Sequence, residues 1–171
     1  YERAINDAAG LALGSYAFLW GHKMEGTATW FGMFLADGSR LGAVDAMTEI
    51  WSGKKPSDLA PTIEPLRIDG HPELEPGSKL RVNSVVEDPE GGPIRVRWVL
   101  RPESDDYATG GDFRPQLPDI EGVVLDGDAD GATLRMPEEP GPYRLFLYAY
   151  DEAGNAATAN VPLLVIGGAK P

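Results

Sequence analysis

Five residues with useful chemistry lie close together near the start of the chain: Trp20, His22, Lys23, Glu25 and Trp30. A tryptophan ring has a flat apolar face that can stack on the apolar C–H face of a pyranose. Lysine, histidine and glutamate side chains can hydrogen-bond to hydroxyl groups. This pattern favours a carbohydrate-binding loop. The alternative is that the aromatic rings belong to a core and that the charged residues lie on the loop surface.

A catalytic role for Glu25 would require a second carboxylate, because glycoside hydrolysis uses two carboxyl groups about 5–9.5 Å apart. The acids that follow it most closely are Asp37, in an Asp-Gly turn, and Asp45, which falls in the middle of a predicted helix. The chain has no phosphate loop, dinucleotide fingerprint, HExxH motif or nucleophile elbow. Its two histidines, His22 and His71, lie in loops of separate segments, which disfavours a serine triad. We therefore expect no catalytic residue and no cofactor in this chain.

The amino-acid composition limits the kinds of partner that the chain could bind. The 171 residues carry a net charge of −12. The first 60 residues hold seven acids and five bases, whereas the remainder holds 20 acids and 10 bases. An acidic surface repels phosphate, so nucleic acid and anionic membranes are disfavoured. There is no cysteine, which excludes disulfides and thiolate chemistry. No apolar run reaches the roughly 20 residues of a membrane helix, so we expect no membrane insertion.

The first 53 residues predict a helix, a strand, a long loop and a second helix. The helix covers residues 1–9, the apolar run 15–20 is typical of a strand buried on both faces, and helical spacing covers 40–51 with Gly53 as its C-cap. Such alternation belongs to α/β architecture. Because one parallel strand cannot bury its own faces, we expect 1–53 to be the tail of a larger (β/α) barrel.

Residues 54–61 contain two prolines and two lysines and predict a linker, and 169–171 predict a short tail. Between them, over 62–168, the period changes to two, which predicts an immunoglobulin-like antiparallel β-sandwich. The candidate strands are 63–69, 78–86, 93–101, 112–116, 121–125, 132–136, 143–151 and 156–166. The fold class is therefore α+β overall, a truncated barrel tail followed by the sandwich.

The candidate strand 93–101 shows the clearest alternation. Ile94, Val96, Trp98 and Leu100 are predicted to face inward, and Arg95, Arg97 and Arg101 outward. Residues 88–92 predict the hairpin turn before this strand. Tyr143 follows Pro-Gly-Pro at the start of a later strand, which is the place of a tyrosine corner.

The outer face of strand 143–151 would present Arg144, Phe146, Tyr148 and Tyr150 beside those arginines. Three interpretations remain open for this face. Arginine–aromatic pairs across strands could satisfy it internally. It could also be the docking surface for the barrel, or a glycan-binding face.

Two acidic groups are candidate calcium ligands. Asp126, Asp128 and Asp130, followed by Gly131, resemble the first half of a calcium loop, but the twelfth position is Pro137 instead of glutamate. An acidic β-turn is the alternative. Asp88, Glu90 and Asp151 form the second group, by analogy with cadherin-like domains. Neither group is strong enough for us to assign a metal ligand.

Two stretches resemble known families. Residues 14–35, GSYAFLWGHKMEGTATWFGMFL, with the helix after them, resemble the last strand, loop and helix of retaining glycoside hydrolase (β/α)8 barrels of the β-galactosidase/cellulase type. Trp20 matches a tryptophan that floors the sugar subsite at the end of the eighth strand in those barrels. The family's catalytic carboxylates follow its fourth and seventh strands. The resemblance thus implies that they lie upstream of Tyr1.

The second resemblance covers about 100 residues and is carried by 88–98, DPEGGPIRVRW, and 141–159, GPYRLFLYAYDEAGNAATA. These are similar to polycystic-kidney-disease-type and cadherin-like bacterial modules. Such modules act as spacers, stabilisers or weak glycan binders on secreted enzymes. The resemblance implies a secreted or cell-envelope location of bacterial type.

Together these observations lead us to expect the C-terminal part of a secreted glycoside hydrolase or transglycosylase acting on a polysaccharide or oligosaccharide. Trp20, His22, Lys23, Glu25 and Trp30 would contact substrate, and the sandwich would dock on its own barrel. The alternative is a non-catalytic cell-surface, adhesion or glycan-binding module.

Overall fold

The chain is mostly β-structure. The computed structural model describes residues 12, 14–104 and 114–167. Within these residues the strands form several mainly antiparallel sheets beside one short helix, an arrangement compatible with a β-sandwich. The predicted helix 1–9, the start of the candidate strand 112–116 and the predicted tail 169–171 lie outside the described residues.

Eleven strands and one helix follow one another along the described residues. In chain order they are β1 (Arg40–Leu41), α1 (Gly42–Ser52), β2 (Thr62–Ile63), β3 (Arg67–Ile68), β4 (Glu73–Leu74), β5 (Lys79–Asn83), β6 (Val86–Glu87), β7 (Arg95–Pro102), β8 (Val124–Asp128), β9 (Gly131–Arg135), β10 (Gly141–Tyr150) and β11 (Asn155–Val165).

The largest sheet is built around β10, which pairs antiparallel with β7 on one side and with β11 on the other. Two short strands extend the β11 edge in parallel, β1 near its start and β4 near its end. A second sheet has the antiparallel order β3-β5-β9-β8, and β2 pairs with β6 in a third. The long strands supply most of the framework.

The two larger sheets share one hydrophobic core. Leu80 and Leu134 of the second sheet pack with Trp98, Leu145 and Leu163 of the first in a single buried cluster. Residues from both sheets can meet in this way only if the sheets face each other.

The indole of Trp98 also fixes the β8–β9 hairpin. Its Nε1 donates to the carbonyl oxygen of Asp128 at 2.9 Å. A Cβ on Gly127 would lie 2.8 Å from its ring, so only glycine fits there without a shift.

The alternation predicted for β7 is confirmed. Trp98 and Leu100 are buried in the shared core and Val96 packs against it, whereas Val99 lies in a different cluster on the outer face. Arg101 also belongs to the outer face, yet it is only 4% exposed because other parts of the chain cover it.

Several predicted strands need correction. The candidates 63–69 and 78–86 are each split into two short strands, and 121–125 begins only at Val124. Residues 114–116 of the candidate 112–116 form no strand. The turn at 88–92 exists, with Gly91 N–H donating to the Asp88 carbonyl at 3.0 Å. It is not a hairpin turn, because β6 pairs with β2 while β7 pairs with β10.

The predicted buried strand at 15–20 is wrong. These residues form no regular strand, and Tyr16, Phe18 and Trp20 are exposed. Backbone hydrogen bonds instead tie this segment to the aromatic stretch after it, for example Leu19 N–H to the Phe31 carbonyl at 3.0 Å. Phe18 and Trp20 contact other aromatic rings. The described residues do not display a barrel tail.

The predicted helix is confirmed but begins two residues late. Arg40 and Leu41 pair with Asn155 and Ala156 of β11, so they are extended and α1 starts at Gly42. The helix ends as expected, at Gly53 in the left-handed conformation with φ of 69°. The N-terminal segment is thereby fastened to the largest sheet.

Candidate functional site

Two groups of exposed aromatic side chains lie on the N-terminal segment. In the first, which we call the Trp20 cluster, Trp20 stacks on Trp51 of α1 with ring centroids 6.4 Å apart and meets Phe34 edge-on at 5.1 Å. Trp20 is 59% exposed. Because two neighbours hold the indole, one of its faces can be offered to a ligand with little further loss of side-chain freedom.

The second group, the Trp30 cluster, contains Trp30, Phe31 and Phe18. Trp30 stacks on Phe31 at 5.7 Å, and Phe31 meets Phe18 edge-on at the same distance. Trp30 is 68% exposed. Trp20 and Trp30 belong to different clusters. The two tryptophans that the sequence singled out therefore present separate surfaces.

The backbone before Trp30 is folded tightly. Glu25 and Thr27 exchange backbone hydrogen bonds of 3.1 and 2.7 Å around Gly26, whose φ of 66° favours glycine. A Cβ on Gly26 would lie 3.8 Å from the Trp30 ring, so the indole rests against this turn. The turn therefore sets the position of the tryptophan.

Lys23 and Glu25 form an ion pair, with Nζ and Oε2 3.0 Å apart. The Lys23 ammonium also lies 5.5 Å from the centre of the Phe18 ring. Glu25 is thus held beside a cation, next to the Trp30 cluster. This arrangement suits hydrogen bonding to a ligand hydroxyl.

Asp37 and Asp45 have structural partners of their own. Asp45 Oδ2 accepts the backbone N–H of Ala60 at 2.7 Å, and Asp37 Oδ1 accepts that of Ser39 at 2.9 Å. Partial burial opposes ionisation of Asp37, but the Ser39 hydrogen bonds and the nearby Arg95 outweigh it and lower its pKa. Asp37 thus holds its own turn, and Asp45 ties α1 to the segment that follows it.

His22 faces another part of the molecule. It lines a cavity of about 160 Å³ together with Asp37, Arg97, Tyr148 and Tyr150. The five predicted site residues are therefore not brought to one point. Lys23 and Glu25 stay together near Trp30, whereas Trp20 and His22 each lie in different surroundings.

A larger cavity of about 500 Å³ opens beside Trp30. Its opposite wall comes from the outer face of the largest sheet and carries the polar side chains of Glu103, Arg144, Thr158 and Asn160. The sequence placed Arg144 on this face, but it did not single out the other three. Period-two alternation places Thr158 and Asn160 on the same face as Ala156. That signal was present, but nothing local showed that this face meets the 26–30 loop.

On the rest of the outer face, the arginine and tyrosine side chains contact one another. The N-terminal segment also covers this part of the face. Arg95 lies 4.3 Å from the Tyr150 ring centre, and Arg101 donates to the Tyr148 hydroxyl at 2.9 Å. Leu35 packs into the same cluster as Phe146 and Tyr148. These contacts agree with the first of the three interpretations, arginine–aromatic pairs across strands. Docking on a barrel and glycan binding stay predictions.

The first acidic group forms a hairpin turn. Asp128 Oδ1 accepts the backbone N–H groups of Asp130 and Gly131 at 3.0 and 3.2 Å, while Asp126 pairs with Arg81 at 3.6 Å. These hydrogen bonds favour the acidic β-turn over a calcium loop.

The second acidic group is spread over separate contacts. Asp88 caps its own turn, Glu90 accepts the Leu59 N–H at 3.2 Å, and Asp151 binds Asn155. Among the described residues no group of three or more His, Cys, Asp or Glu side chains is arranged to hold a metal ion.

Comparison with known proteins adds no relative: no protein-family model matches the chain, and a search of curated proteins gives no significant match. In the part of the chain that the structure describes, no helix has both the length and the apolar character needed to cross a bilayer.

Proposed function

We propose that this chain is the carbohydrate-contacting, C-terminal part of a secreted glycoside hydrolase or transglycosylase that acts on a polysaccharide. The observation that carries the proposal is the exposed, laterally supported Trp20 ring, stacked on Trp51. Exposed tryptophans in fixed orientations are suited to stacking on pyranose rings, and a burial-driven fold gains nothing from leaving them in water.

We propose that this part of the enzyme binds the substrate and that another part carries out catalysis. Glu25 pairs with Lys23, and Asp37 and Asp45 each accept a backbone N–H group, so the structure gives each carboxylate a partner of its own. We infer that the catalytic pair lies upstream in a (β/α)8 barrel, as the sequence resemblance implies. The present residues would then bind and orient the sugar chain for displacement at that pair.

The immunoglobulin-like assignment of 62–168 belongs to the same proposal. Two features support it. The Tyr143 hydroxyl donates to the Glu139 carbonyl at 2.8 Å, which is the contact of a tyrosine corner, and Trp98 sits in the core between two sheets. A polycystic-kidney-disease- or cadherin-like module that stabilises the barrel fits this arrangement.

Affinity electrophoresis of the whole chain in gels containing soluble cellulose derivatives, xylan, mannan or mixed-linkage β-glucan tests the proposal. We expect retardation in at least one gel. Trp20→Ala and Trp51→Ala should weaken that binding by about tenfold or more, because each removes a stacking surface or its support. Tyr16→Ala, at a fully exposed ring, is the control and should bind like the parent. Retardation that is unaffected by Trp20→Ala would contradict the proposal.

A non-catalytic glycan-binding or adhesion module is the second candidate. It is favoured by the union of the N-terminal segment with the sheet, since β1 pairs directly with β11. Release of reducing ends from the bound polysaccharide by the protein encoded by the full reading frame separates the two. Hydrolysis supports the enzyme, whereas binding without hydrolysis supports the module.

A further inference from the structure

We propose that the cavity beside Trp30 is a second carbohydrate site, specific for neutral sugar units and separate from the Trp20 cluster. The site lies where the 26–30 loop meets the outer face of β10 and β11. Its volume of about 500 Å³ falls within the range of about 300–1,000 Å³ that is usual for small-molecule sites.

One wall of the cavity is the Trp30 indole. Contacts with the Gly26 turn and with the stacked Phe31 ring hold this indole in place. Most of the indole remains exposed toward the cavity and solvent. A pyranose lying on it would cover apolar surface that water now covers, without requiring the ring to reorient.

The facing wall is built from an ion pair. Arg144 Nε donates to both Glu103 carboxylate oxygens, at 3.0 and 2.8 Å, and Arg144 Nη1 donates to Asn160 Oδ1 at 2.6 Å. The Arg144 and Glu103 side chains are only 23% and 14% exposed. These contacts fix a planar array of donors and acceptors before any ligand arrives.

This wall selects the class of ligand. The Glu103 carboxylate can accept a hydrogen bond from one hydroxyl, and the guanidinium of Arg144 can donate a hydrogen bond to the next, so vicinal hydroxyls match the array. The charges of the pair cancel, so neither an anionic nor a cationic group gains net attraction. The charge of a uronate or of a free amino sugar would therefore add no attraction to this wall. A neutral sugar binds through its hydroxyl groups, which need no net charge on the wall.

The inference shares the ligand class of the proposed function but not its Trp20 contacts, so the two can fail separately. Isothermal titration of the whole chain with cellohexaose, xylohexaose and mannohexaose measures both. We expect Trp30→Ala to weaken binding of the preferred hexaose by about tenfold or more. Asn160→Phe, at an exposed position whose larger ring would fill the cavity, should do the same, and thermal melts should show that both variants fold.

The Trp20→Ala variant provides the comparison. Loss of affinity in Trp30→Ala and Asn160→Phe supports the cavity site, whatever Trp20→Ala does. Binding that is lost in Trp20→Ala but unchanged in Trp30→Ala and Asn160→Phe would overturn the cavity site and leave the proposed function intact. Absence of heat from all three hexaoses at millimolar concentration would overturn both.

A charge change tests the ligand class. Glu103→Gln keeps the shape of the side chain but leaves the Arg144 charge without its counterion. We expect this variant to bind the neutral hexaose several-fold more weakly and trigalacturonate several-fold more tightly than the parent. A parent chain that already binds trigalacturonate more tightly than the neutral hexaoses would overturn the assignment to neutral sugars.

Discussion

Asn155 joins two segments that are far apart in the chain. Its side chain is fully buried, and its Nδ2 donates to Asp58 Oδ1 at 2.6 Å and to Asp151 Oδ2 at 2.7 Å. Asp151 Oδ1 in turn accepts the Asn155 backbone N–H at 2.8 Å. The single amide thus fastens the residues before β2 to the turn between β10 and β11.

We expect Asn155→Ala to lower the free energy of unfolding by about 2 kcal/mol, because the side-chain hydrogen bonds from the buried amide to the Asp58 and Asp151 carboxylates are lost. Urea denaturation measures the change. Asn83→Ala is the matched control, since Asn83 makes a similar bond to Asp69 at 2.9 Å that is exposed to solvent. Its loss should cost well under about 1 kcal/mol. Equal losses in the two variants would show that burial of the Asn155 amide is unimportant.

The residues of the candidate site were only partly predictable from sequence. Trp30 could be chosen because exposed aromatic and polar types cluster around it. Arg144 could be placed on the outer face of its strand, but its pairing with Glu103 could not be predicted, since the two residues lie 41 positions apart and meet only through the pairing of β7 with β10. Their joint position depends on register and on where the 26–30 loop crosses the sheet, neither of which is encoded by local spacing.

Tyr150, on the outer face of β10, leads us to expect that the stability of the protein depends on pH in the alkaline range. Burial raises the pKa of the Tyr150 hydroxyl above its ordinary value, and the negative charge of Asp37 adds to this, with Arg95 and Arg97 acting in the opposite direction. A group whose pKa is raised on folding contributes stability below its unfolded pKa. That contribution is lost as the pH rises through the folded pKa.

We therefore expect the melting temperature to fall as the pH rises above about 10, and to fall less steeply in Tyr150→Phe. Thermal melts recorded between neutral pH and pH 11 test this. The control is Tyr16→Phe, which changes a fully exposed ring and should follow the parent curve. Identical alkaline slopes in Tyr150→Phe and the parent would refute the assignment.

The elements differed in how far sequence could predict them. Long strands with period-two alternation, such as β7, β10 and β11, were found because one face of each is buried in the shared core. The two-residue strands β1 and β4 are too short to carry a period, and only their partner β11 defines them. The apolar run 15–20 predicted a strand because hydrophobicity alone does not distinguish a buried strand from an exposed aromatic surface.

The N-terminal segment covers one face of the largest sheet. Leu35 and Leu41 pack against Val99, Phe146 and Tyr148, so aromatic residues that would otherwise face water are buried. The core between the two larger sheets contains none of these covering residues. The described part of the molecule thus has an independent central core and a second, dependent interface on its outer side.

The difference between the two cores predicts which parts of the chain can fold on their own. We expect residues 60–168 alone to fold cooperatively around the central core. Their free energy of unfolding should be lower than that of the whole chain by on the order of 3 kcal/mol, because the outer cluster becomes exposed. Residues 1–53 alone should show no cooperative transition, since the surface that Leu35 and Leu41 bury belongs to the sheet. Urea denaturation of each piece, with a dye that reports exposed apolar surface, measures both. A cooperative melt of 1–53, or none for 60–168, would reverse the assignment of which part supports the other.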